Sequence, residues 1–141
     1  MVHTQGPGDA GRLVRLARRD GVECARWNRL NPEQEPRIPW ITQCLSDRKG
    51  PVVAATDYVR AFADQVRGFL PQPDFIVLGT DGFGRSDRRE KLRRFFEVDR
   101  FNIAYAALYG LYRQGVLGQG ELIGARGKLG IDPGKSNPAR A

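Results

Sequence analysis

The chain has 141 residues, of which 40% are hydrophobic, and its formal net charge at pH 7 is +7. A chain of this length fits one domain, and it has no run of the roughly 18 to 20 apolar residues that a membrane-spanning helix needs. The excess of arginine raises nucleic acid as a partner, but no zinc-finger or RNP-type motif accompanies it, so charge alone is weak support for that class.

The cysteine and histidine content argues against a metal site. Cys24 and Cys44 form no CxxC pair, and the only histidine, His3, lies in an N-terminal leader without the apolar core of a secretory signal. We therefore expect free, partly buried thiols in a reducing cytoplasm and no metal ligands. The leader, residues 1–11, is expected to lack regular structure.

The N-terminal third predicts two short helices and a proline-rich connection. Residues 12–19 place apolar side chains on one helical face, and Asp20 with Gly21 is typical of a helix end. Three prolines make residues 31–39 an extended connection, and the last of them suits the first position of a second helix over residues 39–47.

The central segment has the pattern of a βαβ unit. Residues 52–55 and 75–79 are short apolar runs, typical of strands that are covered on both faces. Between them, residues 57–70 keep the 3.6-residue period of a helix that Thr56 or Asp57 can cap. The two strands should be parallel, so the predicted fold class is α/β, with a short, mostly parallel sheet flanked by helices.

Two strands alone leave this predicted sheet incomplete. Each strand needs neighbours along its edges as well as helices above and below it. Either a third strand lies near residues 22–25, or the sheet is completed by a segment outside this sequence. We favour the second alternative.

A basic helix is predicted after the second strand. Ser86 or Asp87 can cap it, and Glu90 stands at capping-box spacing from Asp87. Leu92, Phe95 and Phe96 supply an apolar face in the same segment as its arginines, which favours a solvated amphipathic helix over a nucleic-acid contact.

Two further helices complete the predicted elements. Asp99 can cap a helix over residues 100–114, and Gly115 should end it. The last helix, within residues 118–130, contains three interior glycines and should be marginal. The tail from residue 131 onward should be extended against the surface or frayed.

The loop between the second strand and the basic helix is the strongest candidate for a site. Loops at the carboxyl ends of parallel strands often bind anions, and glycines allow a close approach. However, the spacing of Gly79, Gly82 and Gly84 matches neither GxGxxG nor GxxxxGK[ST], so a tight turn is favoured over a nucleotide site. The nearby aspartates stand where helix caps and turns need them, which favours capping over acid–base catalysis.

Four segments together carry a resemblance to a known family. They are ARWNRLNPEQEPRIPWITQ, GPVVAATDYVRAFADQVRGFLP, FIVLGTDGFGRSDRREKLRRFFEVD and GIDPGKSNP, in this order. The chain resembles the C-terminal domain of the homodimeric pyruvate dehydrogenase decarboxylating component over about residues 12–138. We expect a partial transketolase-like C-terminal domain over that range and a short tail at residues 139–141.

The resemblance implies a role in packing and not in catalysis. In that family, thiamine diphosphate, magnesium and the catalytic histidines and acids belong to the other two domains, so we expect this chain to bind no cofactor and to contribute no catalytic residue. The implied partners are the remaining domains or subunits of the enzyme, or a second copy of this chain. Within the glycine-rich loop we expect an interface or anion-contact surface, and its candidate residues are Asp81, Gly82, Phe83, Gly84, Arg85 and Ser86.

The start of the chain departs from the family pattern. Relatives open this domain with a strand, a helix and a further strand, which an unrelated leader replaces here, so the sequence resembles a truncated or split-gene product. One hypothesis is a domain that completes the decarboxylating enzyme, whose reaction turns pyruvate into carbon dioxide and an acetyl group on a lipoyl carrier. The alternative is a catalytically silent remnant or interaction module, and a basic nucleic-acid-binding domain is the weakest hypothesis.

Overall fold

A computed structural model describes residues 7–82 and 86–140, with the backbone alone for residues 7–10. The chain divides into two compact units, one formed by the residues up to Lys49 with Asp64–Pro73, the other by Gly50–Ala63 with the residues from Asp74 onward. The elements are α1 (Pro7–Leu30), α2 (Trp40–Leu45), β1 (Val52–Ala55), α3 (Arg60–Asp64), β2 (Phe75–Leu78), α4 (Arg89–Phe95), α5 (Arg100–Arg113) and α6 (Gln119–Lys128), with 3₁₀ turns at Arg67–Phe69 and Pro138–Arg140.

The second unit is built on the sheet, which confirms the predicted α/β class. Strands β1 and β2 are parallel, and Val52 lies opposite Phe75 at the start of the register. Among the described residues the sheet has these two strands alone. The alternative of a third strand near residues 22–25 is wrong, because those residues belong to α1.

Helix α5 covers the sheet through a close contact at Gly110. A Cβ atom added at Gly110 would lie 2.3 Å from Cβ of Pro51, next to β1, and 3.6 Å from Cδ1 of Ile76 in β2. Glycine at position 110 therefore lets the helix backbone approach the sheet.

The predicted cap of α5 is confirmed, since the Asp99 carboxylate accepts a 2.9 Å hydrogen bond from the Asn102 N–H.

In the first unit, α1 is far longer than the sequence predicted. It begins at Pro7 and ends at Leu30, passing through the predicted stop at Gly21. Glycine is needed at position 21 for packing and not as a helix stop, because a Cβ atom there would lie 2.5 Å from the Phe69 ring. Residues 1–6 of the predicted leader lie outside the described residues, and the predicted domain boundaries at residues 12 and 138 stay predictions.

Helix α2 holds the segment Asp64–Pro73, which returns to the first unit after α3 begins. The Thr42 hydroxyl donates to the carbonyl of Phe69 over 2.5 Å, and the Gln72 amide donates to the carbonyl of Leu45 over 2.7 Å. The single helix predicted over residues 57–70 breaks here into α3 and a 3₁₀ turn, since these tertiary bonds override the helical period.

Both cysteines are free thiols, but only Cys24 is buried, so the expectation of a partly buried Cys44 is wrong.

The C-terminal segment is anchored and not frayed. The Lys135 ammonium group donates to the carbonyl oxygens of Arg94, over 3.0 Å, and Phe95, at the end of α4. Pro138 is buried. The lysine thus bonds to the last carbonyl groups of α4, where a positive charge is favourable. In the part of the chain that the structure describes, no helix is long and apolar enough to span a membrane.

Candidate functional site

The carboxyl ends of β1 and β2 bring two loops together. The Thr80 N–H donates a 2.9 Å hydrogen bond to the carbonyl of Tyr58, and the Thr80 hydroxyl donates a 2.8 Å bond to the carbonyl of Asp57. A Cβ at Gly79 would lie 2.8 Å from the Tyr58 oxygen and from the Arg60 nitrogen. The first glycine of the loop therefore serves contact between two loops.

Asp81 links these loops through both of its carboxylate oxygens. One oxygen accepts a 2.9 Å hydrogen bond from the Arg60 N–H at the start of α3, and the other pairs with the Arg60 guanidinium group. The side-chain bond from Arg60 is the main reason that the pKa of Asp81 lies below its ordinary value. Asp81 thus caps a helix 21 residues away, which no local sequence pattern reveals.

Gly82 connects the loop to the C-terminal segment. Its φ angle is +117°, and a Cβ there would lie 2.5 Å from the carbonyl oxygen of Pro138. Both observations require glycine, the first because other residues rarely adopt such a φ angle and the second because the approach is too close. The candidate residues Phe83, Gly84 and Arg85 lie outside the described residues.

The predicted cap of the basic helix is wrong. Helix α4 begins at Arg89, and Arg88 precedes it without a side-chain capping bond. Asp87 instead accepts a 2.7 Å hydrogen bond from the N–H of Arg88, its direct neighbour. Ser86, the last of the candidate residues, is exposed.

Asp57 ties the basic helix to the first loop. Its carboxylate lies 3.2 Å from the Arg93 guanidinium group and 3.8 Å from that of Arg89. Together with Asp81 and Arg60, these pairs give the site two carboxylates that face arginines. Sequence reasoning placed Asp57 as a cap of the next helix and missed its arginine partners, because they are 32 and 36 residues away.

The exposed surface of this site is partly apolar. Tyr58 and Val59 follow β1, and their side chains are 59% and 53% exposed. Across residues 7–82 and 86–140, no three histidine, cysteine or acidic residues gather as metal ligands. Apolar groups framed by ion pairs are typical of a surface that contacts another protein.

Acid should weaken the fold through Asp81 and Asp99. Burial raises the pKa of Asp99, but hydrogen bonds from Asn102 and Arg94 outweigh it, so both aspartates titrate below their ordinary value. The unfolded chain takes up protons near pH ~3.9, before the folded chain does, so stability should fall as the pH decreases from about 5 through the folded pKa values. Asp81→Asn should flatten this decline, which urea unfolding at several pH values would measure; an unchanged slope would contradict the assignment.

Comparison with known proteins identifies the family. Residues 22–99, more than half of the chain, match the model of the transketolase-like TK C-terminal domain. The chain belongs to this family. The resemblance inferred from the sequence is thereby confirmed, and the matched range of the transketolase-like domain includes β1, β2 and the loops that carry Asp57 and Asp81.

Three relatives are longer proteins in which one segment matches this transketolase-like domain. The chain is 50% identical to the pyruvate dehydrogenase E1 component of Pseudomonas aeruginosa over 121 residues, which are 86% of this chain and 14% of the relative. The corresponding protein of Cupriavidus necator is 50% identical over 120 residues, 85% of this chain and 13% of the relative. The pyruvate dehydrogenase E1 component of Escherichia coli K12 is 49% identical over 123 residues, which are 87% of this chain and 14% of the relative. The chain therefore spans about one seventh of the length of these relatives.

Proposed function

We propose that this transketolase-like domain packs within a pyruvate dehydrogenase decarboxylating component and takes no part in its chemistry. The enzyme as a whole would convert pyruvate to carbon dioxide and an acetyl group on a lipoyl carrier. Thiamine diphosphate and magnesium would be bound by residues outside this chain. The observation that carries the proposal is the similarity of most of this chain to about one seventh of the E1 components.

The open edge of β1 supports a packing role. The N–H groups of Val52 and Thr56 donate to the carbonyls of Asp74, just before β2, and Leu78, at its end, over 2.9 and 3.0 Å. Alternate residues of a parallel strand bond to opposite sides, so Val53 turns its backbone groups to the outer edge. Among the described residues no hydrogen bond reaches that edge. We propose that a strand from another part of the enzyme pairs there.

The carboxylates at the site are already paired with arginines, which supports a role outside catalysis. Asp57 and Asp81 both form ion pairs with arginines, and Asp81 also caps α3. A general base needs a free carboxylate that can reach a substrate. The same arginine pairs stabilise the loops that would form the interface.

The proposal predicts how the purified chain behaves with a relative. The chain alone should release no carbon dioxide from pyruvate with thiamine diphosphate and magnesium. Co-expressed with the Escherichia coli E1 component from which the matched 123 residues have been deleted, it should co-purify with that protein. Val53→Pro should reduce recovery about tenfold, because proline removes the outward N–H, while Val53→Thr keeps that N–H and should behave as the wild type.

Each outcome of this experiment has a distinct meaning. Turnover by the chain alone would overturn the non-catalytic role. Equal recovery of the proline and threonine variants would overturn the strand pairing at β1. Absence of co-purification by the wild-type chain would favour a silent remnant over an enzyme domain.

A further inference from the structure

Helix α1 has two faces of opposite character. Ala17 and Cys24 are buried, and Gly21 between them lies against Phe69, so one face of the helix is committed to the first unit. The opposite face carries arginines at intervals of three, four and seven residues, which places them side by side along the helix. This helix therefore presents an arginine-rich surface that packing within the unit does not use.

The arginines surround a shallow groove. Its volume is about 650 Å³, and Gln65 also lines it. The lining residues are all exposed. No described carboxylate pairs with these arginines, and among the described residues their side chains make one hydrogen bond, from Arg15 Nε to the carbonyl of Gly11 over 3.3 Å. We call this surface the α1 groove, and its lining residues are Arg15, Arg18, Arg19, Val22, Glu23, Arg26 and Gln65.

We propose that the α1 groove binds an acidic, amphipathic segment of a partner protein. Four guanidinium groups that have no ion-pair partner among the described residues complement several carboxylates, and arginine binds carboxylate through two parallel hydrogen bonds. Val22 lies among them with its side chain 50% exposed, and Leu16 next to Arg15 is 53% exposed. These apolar side chains fit a helical segment in which leucine-like and acidic residues recur at helical spacing.

The composition of the groove favours a polypeptide over a nucleic acid. Val22 lines it with its side chain 50% exposed, and a phosphate backbone offers no apolar side chain for it to contact. None of the lining residues is aromatic, so no ring is available for a base to stack on. This inference does not rest on the proposed enzyme, since any acidic segment of the right pattern would satisfy it.

The test uses the full chain and a synthetic peptide. The probe is a fluorescein-labelled 20-residue peptide in which glutamate and leucine recur at helical spacing, measured by fluorescence anisotropy. We expect saturable binding that weakens as salt rises, because exposed charges are screened. The double variant Arg19→Ala, Arg26→Ala should weaken binding about tenfold or more. Alanine preserves helix propensity, so circular dichroism should show an intact α1.

A matched variant distinguishes loss of binding in the groove from a general effect of lower net charge. Arg48→Ala with Lys49→Ala also removes two positive charges, but both residues are exposed and lie outside the groove. It should change peptide binding by less than about twofold. Equal weakening by the two double variants, no binding by the wild-type chain, or tighter binding of a duplex DNA of equal charge at the same salt would each overturn the proposal.

Discussion

Replacing Gly110 with alanine should lower the free energy of unfolding by about 2 kcal/mol, whereas the same replacement at Gly124 should raise it by up to about 1 kcal/mol. Both glycines lie inside helices, so the change in helix propensity is the same and favours alanine. The difference lies in their surroundings. A Cβ at Gly110 would lie 2.3 Å from Cβ of Pro51, while none of the described atoms lies within 4 Å of a Cβ at Gly124.

The clash at Gly110 cannot be relieved by a side-chain rotation. Pro51 is a rigid ring whose Cβ position is set by the backbone, so α5 itself must move away from the sheet. Urea unfolding followed by circular dichroism would measure both variants, with Gly124→Ala as the matched control. Stabilisation by both changes would show that α5 does not pack closely on β1 and β2.

Replacing Asp99 with alanine should also cost about 2 kcal/mol, because one carboxylate makes three contacts. It accepts bonds from the N–H of Asn102 over 2.9 Å and from the amide of the same side chain over 2.7 Å. It also pairs with the Arg94 guanidinium group over 3.0 Å. The Asp99 side chain is 14% exposed, so water replaces these partners poorly.

Conservative and exposed substitutions distinguish the cap from the charge. Asp99→Asn keeps an oxygen that can accept from Asn102, so it should lose about half as much stability as alanine. Asp64→Ala removes an exposed ion pair with Arg67 and should change the free energy of unfolding by less than about 1 kcal/mol. An equal loss from Asp99→Asn and Asp99→Ala would assign the stabilisation to the Arg94 pair and not to the cap.

Local patterns predicted the elements whose causes are local. The apolar runs at β1 and β2 and the Asp99 cap depend on neighbouring residues, and the structure confirms them. Gly21 was interpreted as a helix stop because glycine has low helix propensity, but its role depends on Phe69, 48 residues away. The same holds for the tail, whose attachment depends on Lys135 reaching the end of α4.

The candidate site, too, could be predicted only where it depends on residues that are neighbours in the sequence. Its location at the carboxyl ends of parallel strands follows from the predicted βαβ unit, and the described Asp81 and Gly82 lie there. The partners of Asp81 and Asp57 could not be predicted, since arginines are so frequent in this chain that sequence alone cannot select Arg60 or Arg93. The role of the loop as an interface stays a prediction.

The path of the chain between β1 and β2 limits how it can be divided. Both strands belong to one unit, but the connection between them enters the other unit over Asp64–Pro73. There Phe69 and Gln72 are held by Thr42 and Leu45. A cut after Lys49 would therefore not release an independent C-terminal module, because the connection between its two strands would lose the hydrogen-bond partners that order it. Proteolytic cleavage or a shuffling of gene segments at that position would cut between this connection and the residues that hold it.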